Sequence, residues 1–133
     1  MTGIGAWLED LDPAPLECDG MTRVLSTLMQ RDRLEHRVFV GRLDVEGCGA
    51  IPTHWWIELP DERICDLRAR MWLGGSALAP HGLFFAGGGQ RYSAREELAP
   101  SSICLPHVVF ELLAGQPLEA FPSVAESEVL AHA

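Results

Sequence analysis

The chain has 133 residues, 47% of them hydrophobic, with 19 acidic against 10 basic side chains and a formal charge of −9. That length holds one core rather than two, and the acidic excess repels a phosphate backbone, which excludes nucleic acid as an expected partner. No basic segment followed by a long apolar run opens the sequence, and no stretch approaches the ~20 apolar residues of a membrane span.

These features lead to the expectation of one cytoplasmic domain over 1–133, with a core over 16–115 and a C-terminal tail over 116–133; export by a signal-less route stays open. Cys18, Cys48, Cys65 and Cys104 lie far apart without a C-x-x-C pair, so thiols are expected rather than a disulfide framework or structural zinc.

The start, MTGIGAWLEDLDPAPLE, has Ile4, Trp7, Leu8 and Leu11 at helical spacing until Pro13 and Pro15 end the run. From Asp19 to Arg31, Met21, Val24, Leu25, Leu28 and Met29 form the stripe of an amphipathic helix. HRVFVGRLDVEG, THWWIEL and RICDLRA then read as strands, with PDE as a turn. A helix followed by three strands predicts an α+β domain with an antiparallel sheet. LFFAGGGQRYS is expected to form an edge strand broken by three glycines. PHVVFELLAG reads as a closing helix, with Pro106 at its start and Gly115 past its end. The tail after Gly115 is expected to be mobile or loosely docked.

Three residues along this path carry the candidate chemistry. Cys18 precedes the strongest helix and falls on the inward side of its stripe. There it meets the positive end of the helix dipole and unpaired N–H groups, which favour thiolate and suit an oxyanion. The plainer reading is a buried small hydrophobe. His54 and Asp66 stand twelve residues apart with Pro60 midway. A three-residue loop of Pro60, Asp61 and Glu62 places both on one face of a hairpin; a two-residue loop separates them. On one face, the carboxylate fixes the imidazole tautomer and stabilises its protonated form. The alternative is a strand-end histidine capped by an acid for stability.

Taken in order, ECDGMTRVLSTLMQ, RDRLEHRVFVG, HWWIEL and ICDL resemble the transglutaminase-like group of the papain-like cysteine peptidase superfamily over about residues 16 to 70. ECDG is also similar to the D-C-S-G of the cell-wall amidases in that superfamily. The resemblance implies a papain-like core, with a helix carrying the Cys packed on a sheet carrying the His and Asp. It makes Cys18 the nucleophile, His54 the general base and acid, and Asp66 the orienting carboxylate, with no cofactor and no metal. The sequence departs from the group's pattern where Leu67-Arg68 follows Asp66 in place of Pro-Thr, and Glu17 and Asp19 flank the thiol with like-signed charge.

Trp7 is the candidate second oxyanion donor. Of Trp55 and Trp56, which alternate across the strand, one is expected to pack and the other to wall a cleft. Cys65 is expected to point away from Asp66 and pack. The expected function is a thiol-dependent acyl transfer on an amide: peptidase, deamidase or transglutaminase-type, with a protein or peptide substrate. The alternatives are a non-catalytic protein-binding module on the same fold and a pH- or redox-responsive protein using Cys18.

Overall fold

Met21, Val24, Leu25, Leu28 and Met29 are all buried, and the helix they belong to, α2 (Cys18–Arg31), lays that stripe against a sheet. The computed structural model describes residues 3–130. It is an α+β fold in which α1 (Ile4–Leu11) and α2 precede β1 (Arg37–Val45), β2 (Gly49–Glu58) and β3 (Ile64–Asp66). There follow α3 (Ala69–Leu73), β4 (Gly82–Phe84), β5 (Gln90–Leu98), α4 (His107–Ala114) and α5 (Glu126–Leu130). The third expected strand is shorter than RICDLRA: it ends at Asp66, and Arg68 leads into α3.

The antiparallel sheet has five strands in the order β4-β3-β2-β1-β5. The segment expected as one edge strand supplies both edges. Gly82–Phe84 joins β3, the chain crosses by way of the three glycines, and Gln90–Leu98 joins β1. In a flat sheet the outer strands would lie about 19 Å apart, four spacings of ~4.8 Å. Here the Phe84 and Tyr92 rings are 6.4 Å apart, so the sheet curls until its edges nearly meet. The β1–β5 contact is close at one bulge: a Cβ on Gly41 would stand 2.1 Å from the Ser93 carbonyl oxygen, so only glycine fits there.

The main core fills the side of the sheet facing α2, and a smaller cluster of Leu43, Val45, Ile51 and Ala69 fills the concave side. The terminal segments belong to the main core. Ile4, Trp7, Leu8 and Leu11 from α1 are buried there, with Leu118, Phe121, Val124 and Val129 from beyond Gly115. Through Val129 the tail is therefore docked rather than mobile. Its backbone is also held, because Arg31 donates to the carbonyls of Leu118 and Phe121 and Asp32 accepts the Val124 N–H. Among the described residues, no helix is long and apolar enough to cross a membrane.

Candidate functional site

Loop length decides which side chains meet across the β2–β3 hairpin. Ile57 pairs with Cys65 and Glu58 with Ile64, and the Leu59 N–H donates to the Arg63 carbonyl at 2.8 Å. Pro60, Asp61 and Glu62 are thus the three-residue loop, with Glu62 in the left-handed conformation at φ 74° that such loops favour at their last position. With an odd loop, His54, Trp56 and Asp66 fall on one face, while Trp55, Ile57 and Cys65 fall on the other. The β2–β3 pairing stops at Ile57–Cys65, so beyond it side chains make the link in place of backbone.

Asp66 is the centre of that link. One oxygen, Oδ1, accepts the backbone N–H groups of Arg68 at 3.0 Å and Ala69 at 3.2 Å, as a carboxylate does at a helix start. The other, Oδ2, accepts His54 Nε2–H at 2.7 Å and the Tyr92 hydroxyl at 2.7 Å. His54 has no exposed surface and Asp66 is 3% exposed, so water does not compete for these bonds. The imidazole lies nearly parallel to the Trp56 ring at 6.5 Å, and the Tyr92 ring meets Trp56 edge-on at 4.9 Å.

His54 Nδ1 is buried and makes no aligned hydrogen bond, and the group acting on the ring from outside the hairpin is the Cys18 thiol. Burial pulls the imidazole down. The Asp66 hydrogen bond and charge, with the hydrogen bond and charge of Cys18, outweigh it and raise the ring from 6.5 to about 9. The balance favours the protonated ring, with Nε2–H given to Asp66 and Nδ1 left for the sulfur. Cys18 is half-buried at the first position of α2. The flanking Glu17 and Asp19 are exposed, and Asp19 turns its carboxylate onto the Gly20 N–H at 2.8 Å, which directs that charge into the helix start.

Two residues that sequence reasoning did not assign hold this arrangement together. Tyr92, on the far edge strand, reaches Asp66 only because the sheet curls. Arg68 is 6% exposed and ties the segment that carries Asp66 to the one that carries Cys18. Its guanidinium donates to the Leu16 carbonyl at 2.5 Å and to those of Ala14 at 2.9 Å and Asp12 at 3.0 Å. Arg68 thus stands two residues from Asp66 and grips the chain two residues before Cys18. The chain's single tyrosine gave no signal of its contact, because the partner is 26 residues away in sequence.

The tryptophans divide. Trp7 is buried and donates its indole N–H to the Pro122 carbonyl at 2.8 Å; packing of the tail claims that donor, so Trp7 is not an oxyanion donor. Trp56 is the buried member of the pair. Trp55 is half-buried with the Arg23 guanidinium 5.1 Å from its ring, and it walls a cavity of about 10 Å³ with Cys18, Met21, Cys65, Asp66 and Arg68. That space barely holds one water. The Cys65 thiol faces this cavity and is pushed up to about 12 by burial and then by the Asp66 charge, so it stays protonated. A larger pocket of about 530 Å³ opens between α1 and β4, with His81, Leu8 and Leu83 in its wall. It meets the Cys18 cavity at Leu67 but does not include the thiol. Among the described residues no group of three or more His, Cys, Asp and Glu side chains is placed to hold a metal ion.

Comparison with protein-family models, with curated proteins and with solved structures finds no match to this chain.

Proposed function

We propose that the chain is a cytoplasmic, papain-like or transglutaminase-like enzyme that transfers an acyl group from an amide through Cys18, His54 and Asp66. One observation carries this reading. A water-excluded imidazole, fixed by a carboxylate at 2.7 Å, has its second ring nitrogen without an aligned partner, and the group acting on the ring from outside the hairpin is a half-buried thiol at a helix N-terminus. An unpaired buried polar atom costs about 1–3 kcal/mol; His81 Nδ1 carries the same cost, and what sets His54 apart is the carboxylate on one nitrogen and the thiol that acts on the ring.

The chemistry follows from the charges. Sulfur, as thiolate, attacks the amide carbonyl carbon, and the carbonyl oxygen gains the negative charge next to the first-turn N–H groups of α2. His54 Nδ1 gives its proton to the leaving nitrogen, the C–N bond breaks and a thioester remains on Cys18. Water or an amine then adds to the thioester, His54 takes up the proton, and sulfur leaves. Asp66 holds the ring's orientation throughout without itself taking the proton. The substrate is a protein or peptide, and the −9 charge favours a neutral or basic one. The cavity beside Cys18 admits no peptide as it stands, so Trp55 must move aside for substrate to enter.

A second reading, a protein-binding module, is favoured by that closure together with exposed Met71, Trp72, Leu78 and Phe85 around α3 and β4. Iodoacetamide labelling of the native protein from pH 5 to 9 separates the two, with exposed Cys104 as internal reference. The enzyme requires Cys18 to react well below pH 8, faster than Cys104, and to lose that advantage in His54→Ala. Equal, slow labelling of both thiols leaves the binding module.

A further inference from the structure

Asp66 Oδ2 has two donors where the proposed chemistry uses one. The second donor comes from the opposite edge of the sheet, along a path that the fold builds at some expense: a 9-residue strand, a bulge that admits only glycine at position 41, and a curl that brings β5 toward β3. A hydroxyl delivered so far across a sheet to the oxygen already bound by His54 does more than fill space. The phenol stays protonated at any ordinary pH, because burial, and then the Asp66 charge, push its ionisation up; it is a permanent donor.

We propose that Tyr92 is a positioning residue of this site: its hydroxyl anchors Asp66 Oδ2 and, by sharing that oxygen with His54 Nε2–H, sets how tightly the imidazole holds its proton against Cys18. The part of this concerning Cys18 rests on the thiol-enzyme reading; the part concerning His54 does not.

The physical argument is one of shared charge. A carboxylate that donates electron density to one hydrogen bond has less to offer a second. Two backbone N–H groups fix Oδ1, so they set the plane of the carboxylate, while the two bonds at Oδ2 divide its remaining charge. Removing the hydroxyl leaves the whole of Oδ2 to the imidazolium, and strengthening it leaves less.

The other groups around the ring do not substitute for this control. From α2 comes Cys18 and from β3 comes Asp66, while Cys65 lies on the opposite face and is held neutral; β1 presents Gly41 opposite His54 and adds no charge. Arg68, the nearest cation in sequence to Asp66, has its guanidinium turned to Asp12, Ala14 and Leu16.

Because Tyr92 is the chain's only tyrosine, it can be altered in two opposite directions at one site. Tyr92→Phe deletes the donor and keeps the ring that packs on Trp56. Biosynthetic incorporation of 3-fluorotyrosine keeps the hydroxyl and makes it more acidic, hence a stronger donor. The readout is the titration midpoint of His54, followed by NMR of protein labelled at histidine nitrogens.

The expected result is a midpoint moved up by about half a unit to one unit in Tyr92→Phe, roughly a three- to tenfold gain in proton affinity, and moved down in the fluorotyrosine protein. A midpoint unchanged in both, or moved the same way in both, overturns the proposal. Should Tyr92→Phe fail to fold, the fluorotyrosine arm still decides, since it keeps both the ring and the hydroxyl.

The pH profile of Cys18 alkylation, measured on the same samples, keeps the two readings apart. Opposite His54 shifts with an unreactive Cys18 uphold Tyr92 as the anchor of Asp66 and remove the enzyme. A reactive Cys18 whose profile ignores both changes at Tyr92, with the His54 midpoint equally still, leaves the enzyme and removes Tyr92 from it.

Discussion

Asp66 accepts four hydrogen bonds at 3% exposure, and replacing it tests the site without removing bulk. In Asp66→Asn an amide oxygen can still accept from the Arg68 and Ala69 N–H groups, which leaves NH₂ facing His54 Nε2. That geometry favours the neutral ring with the wrong nitrogen protonated. Burial is then uncompensated by the carboxylate, so the His54 midpoint is expected to fall from about 9 to below that of a free imidazole. Cys18 alkylation at pH 6 should slow by about tenfold as the imidazolium is lost. Histidine NMR and labelling rates check both. Much of this was legible in the residues: one turn, PDE, with three residues in its loop, determines whether positions 54 and 66 share a face. Tyr92 was not legible, because a contact made across a curled sheet leaves no spacing to count.

At the scale of elements, the join between the start of α2 and the end of β3 determines where the thiol sits. Arg68 makes it, with four carbonyls, three of them in the Asp12–Leu16 segment, and the Asp12 carboxylate bound by one planar fork. Lysine cannot reproduce that fork. Arg68→Lys is expected to cost about 2–4 kcal/mol in urea unfolding, the range for breaking a buried charged network, and to slow Cys18 alkylation even where the protein remains folded. A variant with unchanged stability would show that the Asp12–Leu16 segment is held by something else. The opposite side of the sheet has its own constraint at Gly41. In Gly41→Ala the β1 and β5 backbones must separate around a methyl placed 2.1 Å from Ser93 O, at a cost of roughly 3 kcal/mol or more; hydrogen exchange at Ala94 and Glu96 should report the loosened edge. Sequence reading found α2 and the β2–β3 hairpin because each follows a local period. It placed β5 poorly, since a strand on an edge beside three glycines has weak alternation and its pairing partner lies some 50 residues earlier.

For the molecule as a whole, two buried histidines bracket the pH range of greatest stability. His54 is raised above its unfolded value, so its contribution is complete below about pH 6.5 and fades as pH rises towards about 9. His36 is lowered, by burial that its bond to the Leu34 carbonyl only partly offsets. Its contribution is complete above pH 6.5 and lost as pH falls through its folded value. Thermal melting should therefore peak near pH 6.5. His54→Phe is expected to flatten the alkaline side, and His36→Gln the acid side; a profile unchanged by either substitution would contradict the assignment. Deleting residues 116–133 should unfold the chain, because it strips Leu118, Phe121, Val124 and Val129 from the main core and leaves Arg31 without three carbonyl acceptors.

What the sequence determined by itself is local: the helix that follows Cys18 and the hairpin between His54 and Asp66, with the parity of its loop, and hence the shared face of the two residues, left for the structure to decide. Each follows from a period that a few neighbouring residues contain. Only tertiary structure decided that Trp7 spends its N–H on the tail, that Arg68 bridges to the segment before Cys18, and that Tyr92 completes the shell of Asp66. Those contacts join residues 26 to 115 positions apart, and they exist because the chain must close its sheet and cover both faces with what remains after the local elements have formed.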